Sequence, residues 1–123
     1  MTKIMLDHFY ISVKNMDRAI KFYEDILEMK VSHREENTWA DWDTKKGFYL
    51  GLINPKIISK KRKIGNNCTP VFWADNVDLV YKKVKKWKVK IIYPPTNLKF
   101  TEYPYRCFSC KDTEGNIIEI AKY

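Results

Sequence analysis

The stretch His8-Phe9-Tyr10-Ile11-Ser12-Val13-Lys14-Asn15-Met16-Asp17 reads as a strand running into the start of a helix, and its second half comes back further along the chain. Val13-Lys14-Asn15-Met16-Asp17 lies over Ala74-Asp75-Asn76-Val77-Asp78 at an offset of 61, which sets His8 over Thr69. In the first copy, His8, Tyr10 and Ser12 alternate with Phe9, Ile11 and Val13, giving one polar-aromatic and one apolar face to a strand over 4–13. Asn15 is a good helix N-cap and Asp17 puts negative charge in the first turn. Ala19, Ile20, Tyr23, Ile26 and Leu27 then recur at helical spacing.

Working outward, three short strands are predicted over 30–35, 38–43 and 48–53, with turns at Glu36-Asn37 and Thr44-Lys45-Lys46-Gly47. Residues 54–67 hold Pro55, Gly65 and a Lys/Arg run, and read as a linker. The pattern then restarts. A strand over 69–74 leads into caps at Asp75-Asn76 and a helical stripe of Val77, Val80, Tyr81, Val84 and Trp87. A strand over 89–93 is expected to end at Pro94-Pro95. Strands over 105–110 and 116–122 flank the turn Lys111-Asp112-Thr113-Glu114-Gly115. Each half is therefore β-α-β-β-β, with one middle strand of the second half hard to see. Aligning the last strands on Gly47 and Gly115 sets Gly51 over Glu119, as expected of a duplicated unit. The expected organisation is one domain over 1–123, with module one at about 4–53 and module two at about 68–123.

Composition narrows the function. The 123 residues are 45% hydrophobic and 15% aromatic, which suits a folded core rather than disorder. Apolar runs such as Val71-Phe72-Trp73-Ala74 fall far short of the ~20 residues of a membrane helix, and Asp7 interrupts the start before a signal-peptide core forms. The net charge of +8 comes from 23 basic and 15 acidic residues, and 19 of the basic ones are Lys. Base reading and bidentate phosphate clamping favour Arg, so the Lys blocks at 56–63 and 82–90 read as solvated faces, without a nucleic-acid partner. Three cysteines, Cys68, Cys107 and Cys110, cannot all pair, which suits a reducing, cytoplasmic setting. Cys107-Phe-Ser-Cys110 has CxxC spacing, but on a strand residues three apart face opposite ways, so a shared metal or disulfide is not expected.

Leu6 to Val13, the helix Met16 to Leu27, and Asp112-Thr113-Glu114-Gly115-Asn116-Ile117-Ile118-Glu119-Ile120 together resemble the vicinal oxygen chelate superfamily, the glyoxalase/bleomycin resistance protein/dioxygenase fold. The last segment is similar to a D-P-D-G-N-x-x-E pattern with Thr113 in place of Pro. The resemblance implies an α+β fold of two β-α-β-β-β modules whose mixed sheets curl into a cup, helices outside, in a chain that forms a homodimer. Phe9, Ile11 and Val13, with Ile118 and Ile120, would then face helices, and His8, Tyr10, Ser12 and Glu119 the cavity.

The same resemblance implies a metal set of His, His, Glu and Glu. Here those positions hold His8, Thr69, Gly51 and Glu119, so only His8 and Glu119 remain as ligands for a divalent Zn, Ni, Mn or Fe. His33, Asp41, Asp43, Cys68 and Tyr49 are stand-ins by chemical type, and a hydrogen-bonded His8–Glu119 pair without metal is the plainer alternative. Ligand-lining candidates are Tyr10, Ser12, Thr69, Trp73 and Arg106, the last for an anionic group. Three functions follow in order: binding of a small organic molecule in an aromatic-lined cup; a metal-dependent lyase or isomerase of the lactoylglutathione lyase type, with Glu119 as ligand and catalytic base; and ring-cleaving or thiol-transferring chemistry, which needs the His that Thr69 replaces.

Overall fold

The computed structural model describes residues 3, 7–45, 47–55, 64, 68–98 and 104–123. They form two compact units, Met1–Ile64 and Gly65–Tyr123. The expected linker and the first residues of the first predicted strand lie largely outside the described residues. Among the described residues, no helix is long and apolar enough to cross a membrane.

Module one runs β1 (His8–Ser12), α1 (Met16–Leu27), β2 (His33–Glu35), β3 (Trp39–Asp43) and β4 (Tyr49–Ile53). The Asn15 side chain accepts from Arg18 N at 3.0 Å, so the cap read from sequence sits where a helix start has orphan donors. Arg34 Nη2 donates to Asp17 Oδ1 at 2.6 Å, tying β2 to the first turn of α1. The strand order is β1-β4-β3-β2, with β1 and β4 parallel and the other pairs antiparallel. Ile11, Leu50, Leu52, Ala40 and Trp42 are buried beneath α1, where Tyr23 meets the Trp42 ring at 6.0 Å. The opposite face of this sheet carries His8, Tyr10, Trp39, Asp41 and Gly51.

Module two repeats the plan with β5 (Val71–Trp73), α2 (Val77–Lys85), β6 (Ile91–Asn97), β7 (Arg106–Lys111) and β8 (Ile117–Lys122), in the order β5-β8-β7-β6. Asn76 caps α2 by accepting from Leu79 N at 3.0 Å. Phe108, Ile118 and Ile120 are buried on the α2 side, where Tyr81 crosses Phe108 edge-on at 5.3 Å. Trp87, on the helical stripe, is half-buried rather than fully in the core, with Lys83 Nζ 5.6 Å above its ring.

The expected end of the second module's first middle strand at Pro94-Pro95 is corrected. β6 continues through both prolines to Asn97, with register shifts between Ile91 and Tyr93 and between Tyr93 and Thr96. Proline lacks a ladder donor, which an edge strand with bulges tolerates, and β6 is an edge.

Ladder register confirms the alignment of the halves. Tyr10 pairs with Gly51 in β1–β4, and Val71 pairs with Glu119 in β5–β8. The offset of 61 on the first strand and 68 on the last is therefore structural. The hairpin glycines match as well: Gly47 and Gly115 have φ of +89° and +86°, a region that a residue with a Cβ rarely enters. In the second turn the Asp112 carboxylate accepts from the backbone N of Glu114 and Asn116 at 2.8 Å each and from Asn116 Nδ2 at 2.9 Å. That buried network is the physical content of the Asp-x-x-Gly-Asn pattern.

Candidate functional site

In module one the chemistry lies on the face turned away from α1. His8 Nδ1 is 2.6 Å from Asp7 Oδ2. An N–H on Nδ1 suits that contact, and Nε2 is the ring nitrogen that the Asp7 contact does not use. Trp39 stands edge-on to both His8 and Tyr10, with centroids 5.8 and 5.7 Å apart, and its Nε1 donates to Asp41 Oδ2 at 2.7 Å. Asp7, His8, Trp39, Asp41 and Tyr49 line a shallow hollow of about 220 Å³.

Gly51 lies under that indole. A Cβ built there would meet the Trp39 ring at 2.4 and 2.7 Å and Tyr10 Cβ at 3.0 Å, closer than packed carbons allow. The space a carboxylate side chain would need at this position is taken by tryptophan. Ser12, on the same face, is only 3% exposed. His33 is exposed on the outer strand β2 and Asp43 binds Lys45 at 3.5 Å, so neither stand-in converges with His8.

In module two Glu119 is held by two phenols. The Tyr93 hydroxyl donates to Oε1 at 3.0 Å and the Tyr105 hydroxyl to Oε2 at 2.7 Å, while Cys107 Sγ lies 3.6 Å from the Tyr93 oxygen. Both tyrosines are held protonated well above the ordinary phenol range. Burial is the first cause for each, followed for Tyr93 by the Cys107 and Glu119 hydrogen bonds and for Tyr105 by the Glu119 bond. The Tyr105 ring stacks on Tyr123 at 5.5 Å and 3°. Neither Tyr93 nor Tyr105 was singled out from the sequence. Tyr105 shares strand parity with Ser109, the ladder partner of Glu119, and that signal was available.

Thr69 is exposed, one residue before Pro70, whose carbonyl accepts from Glu119 N at 3.0 Å. Trp73 and Val71 are exposed on the sheet's edge strand, Val71 opposite Glu119 in the ladder. Arg106 lines a hollow of about 400 Å³ with Asn97, Pro104, Tyr105 and Tyr123, and its Nε and Nη2 donate to both carboxylate oxygens of Asp78 at 2.8 and 2.7 Å. Its charge is already matched by the first turn of α2, and that pairing holds the Asp78 carboxyl below its usual range. The cysteines behave as the strand reading expects. Cys107 faces the Glu119 side and Cys110 the α2 side, all three are free, and burial with a lesser push from Asp112 raises the Cys110 thiol to about 12. Among the described residues, no three His, Cys, Asp or Glu side chains come together as a metal site.

The sequence model described as "Glyoxalase/Bleomycin resistance protein/Dioxygenase superfamily" matches residues 5–120, nearly the whole chain. The chain belongs to this superfamily. No curated protein matches it significantly. Solved structures agree on the fold. A glyoxalase/bleomycin resistance protein from Albidiferax ferrireducens superposes with a TM-score of 0.79 at 16% identity, covering 98% of this chain and 100% of that one. A superfamily member from Sphaerobacter thermophilus reaches 0.78 at 17%, covering 98% of each. An integron cassette protein from the mobile metagenome of V. cholerae reaches 0.75 at 22%, covering 100% and 98%. At these identities the likeness speaks for the fold alone.

For a superfamily protein the remaining question is whether its residues fit the chelating set that the resemblance implies. They do not. Gly51 has no donor and no room for one, Thr69 offers a neutral hydroxyl, and both Glu119 oxygens accept phenol protons.

Proposed function

We propose that this superfamily member is a small-molecule binding protein, taking up an organic ligand on the aromatic face of module one without chemical conversion. The observation that carries the reading is the Trp39 indole seated over Gly51, which replaces a donor position by ring surface beside His8 and Tyr10. Stacked and edge-on rings bind flat organic groups through area and quadrupole alone. Ser12 lies buried on the same face, and Trp73 offers a second exposed ring in module two. A homodimer working in the cytoplasm belongs to the same reading.

A second reading, a divalent-metal lyase or isomerase, is favoured by one observation: Asp7 on Nδ1 orients His8 with Nε2 outward, the arrangement of a ligating imidazole backed by a carboxylate. Metal analysis separates the two. Protein purified without chelator, and its His8→Ala and Glu119→Ala variants, should contain well under one equivalent of metal, with no difference among them. Stoichiometric metal in the wild type that both variants lose would overturn the binding reading in favour of the second.

A further inference from the structure

The hollow beside Trp39 has a composition that selects its occupant. Its aromatic lining is Trp39, His8 and Tyr49, the last 40% exposed. The lining also includes two carboxylates, each beside a ring nitrogen: Asp7 Oδ2 2.6 Å from His8 Nδ1, and Asp41 Oδ2 accepting from Trp39 Nε1 at 2.7 Å. Lys45 pairs with Asp43 at 3.5 Å, and His33 lies 4.0 Å from Glu35. A hollow bordered by two negative charges thus stands in a chain whose net charge is +8.

We infer that the ligand taken up at this hollow is an organic cation, an amine, amidine or quaternary ammonium carried on a flat or compact apolar body. The assignment rests on the reading of the module-one face as a binding surface and adds the charge of what it binds. Aromatic faces attract cations through their quadrupoles. Carboxylates already pinned by N–H donors need little reordering to receive one. A neutral ring would gain only area, and an anion would meet Asp7 and Asp41 at close range, where like charges repel. At about 220 Å³ the hollow is below the roughly 300–1,000 Å³ of drug-sized sites, so it accommodates one ring or one ammonium head rather than a whole large ligand.

Benzamidinium, benzamide and benzoate share one shape and differ in charge, and the test is their titration onto the full chain, followed by NMR at the His8 ring and the Trp39 indole N–H. Benzamidinium should bind about tenfold more tightly than benzamide, with benzoate weaker than both. Asp7→Asn and Asp41→Asn each keep an acceptor for the ring N–H and remove the charge. Each should weaken benzamidinium about two- to threefold and weaken benzamide by less than that. Equal binding of benzamide and benzamidinium at these resonances would overturn the cation assignment while leaving the binding reading intact. No shift of His8 or Trp39 by any of the three probes would overturn both. The three-probe comparison on the wild type decides the matter even where a variant fails to fold.

Discussion

Gly51 and Glu119 occupy the same point of the repeat, opposite Tyr10 and Val71 in equivalent parallel ladders, yet their surroundings are reversed. The neighbouring strand shows how. Trp39 in β3 pairs with Ile53, and its counterpart in β7 is Cys107, which pairs with Ala121. Module one sets a large ring beside a residue with no side chain. Module two sets a small thiol beside a long carboxylate and fills the remainder with Tyr93 and Tyr105. Main-chain ladder bonds ignore side-chain identity, so a duplicated scaffold can hold its register while volume is traded between adjacent strands. Two units with one backbone plan thereby acquire an aromatic surface in one case and an anchored carboxylate in the other.

The hardest way to break this contrast is to force the second chemistry into the first module. Gly51→Glu should cost about 3 kcal/mol in urea unfolding, because its Cβ enters the Trp39 ring. Adding Trp39→Cys, which copies the module-two pair, should recover part of that loss as a favourable coupling in a double-mutant cycle. Additive losses would show that the two positions do not trade volume.

A smaller effect sharpens the other side. Glu119→Gln should cost about 1 kcal/mol by weakening two charge-assisted hydrogen bonds in a half-exposed setting. The sign in pH follows from the phenols. Their folded-state values are raised above the ordinary value of about 10, so the stability they contribute is complete below that pH and is lost as pH climbs beyond it. Tyr93→Phe and Tyr105→Phe should each flatten this alkaline decline, measured as thermal midpoint against pH. An unchanged slope would mean that the phenols do not hold the carboxylate.

The smallest effect tests where the modules are alike. Asn15→Ala and Asn76→Ala should each cost about 1 kcal/mol, since each removes a capping side-chain acceptor at a matching helix start. Costs differing by more than a factor of three would show that the equivalence ends at the backbone.

Much of this was legible beforehand. Caps, hairpin glycines, both helical stripes and the register that aligns Gly51 with Glu119 depend on residues within a few positions of one another. The phenols on Glu119 were harder to see. Ile91 and Tyr93 should share a face by period two, but the bulge between them pairs Ile91 with Cys110 and Tyr93 with Ser109, turning Tyr93 toward Glu119. The partner of Arg106 was hidden for a related reason: nothing near it in sequence reveals that Asp78, on a helix, lies within reach of its guanidinium.

The amino-acid order by itself determined the two β-α-β-β-β units, their mutual alignment and the absence of donors at Gly51 and Thr69, because hydrophobic period, capping and turn preference are properties of short segments. Only the tertiary structure decided that an indole covers Gly51, that two phenols hold Glu119 and that Asp78 takes Arg106. Those are meetings between strands and helices far apart in the chain, set by ladder register, by one bulge and by the volume each neighbour leaves free.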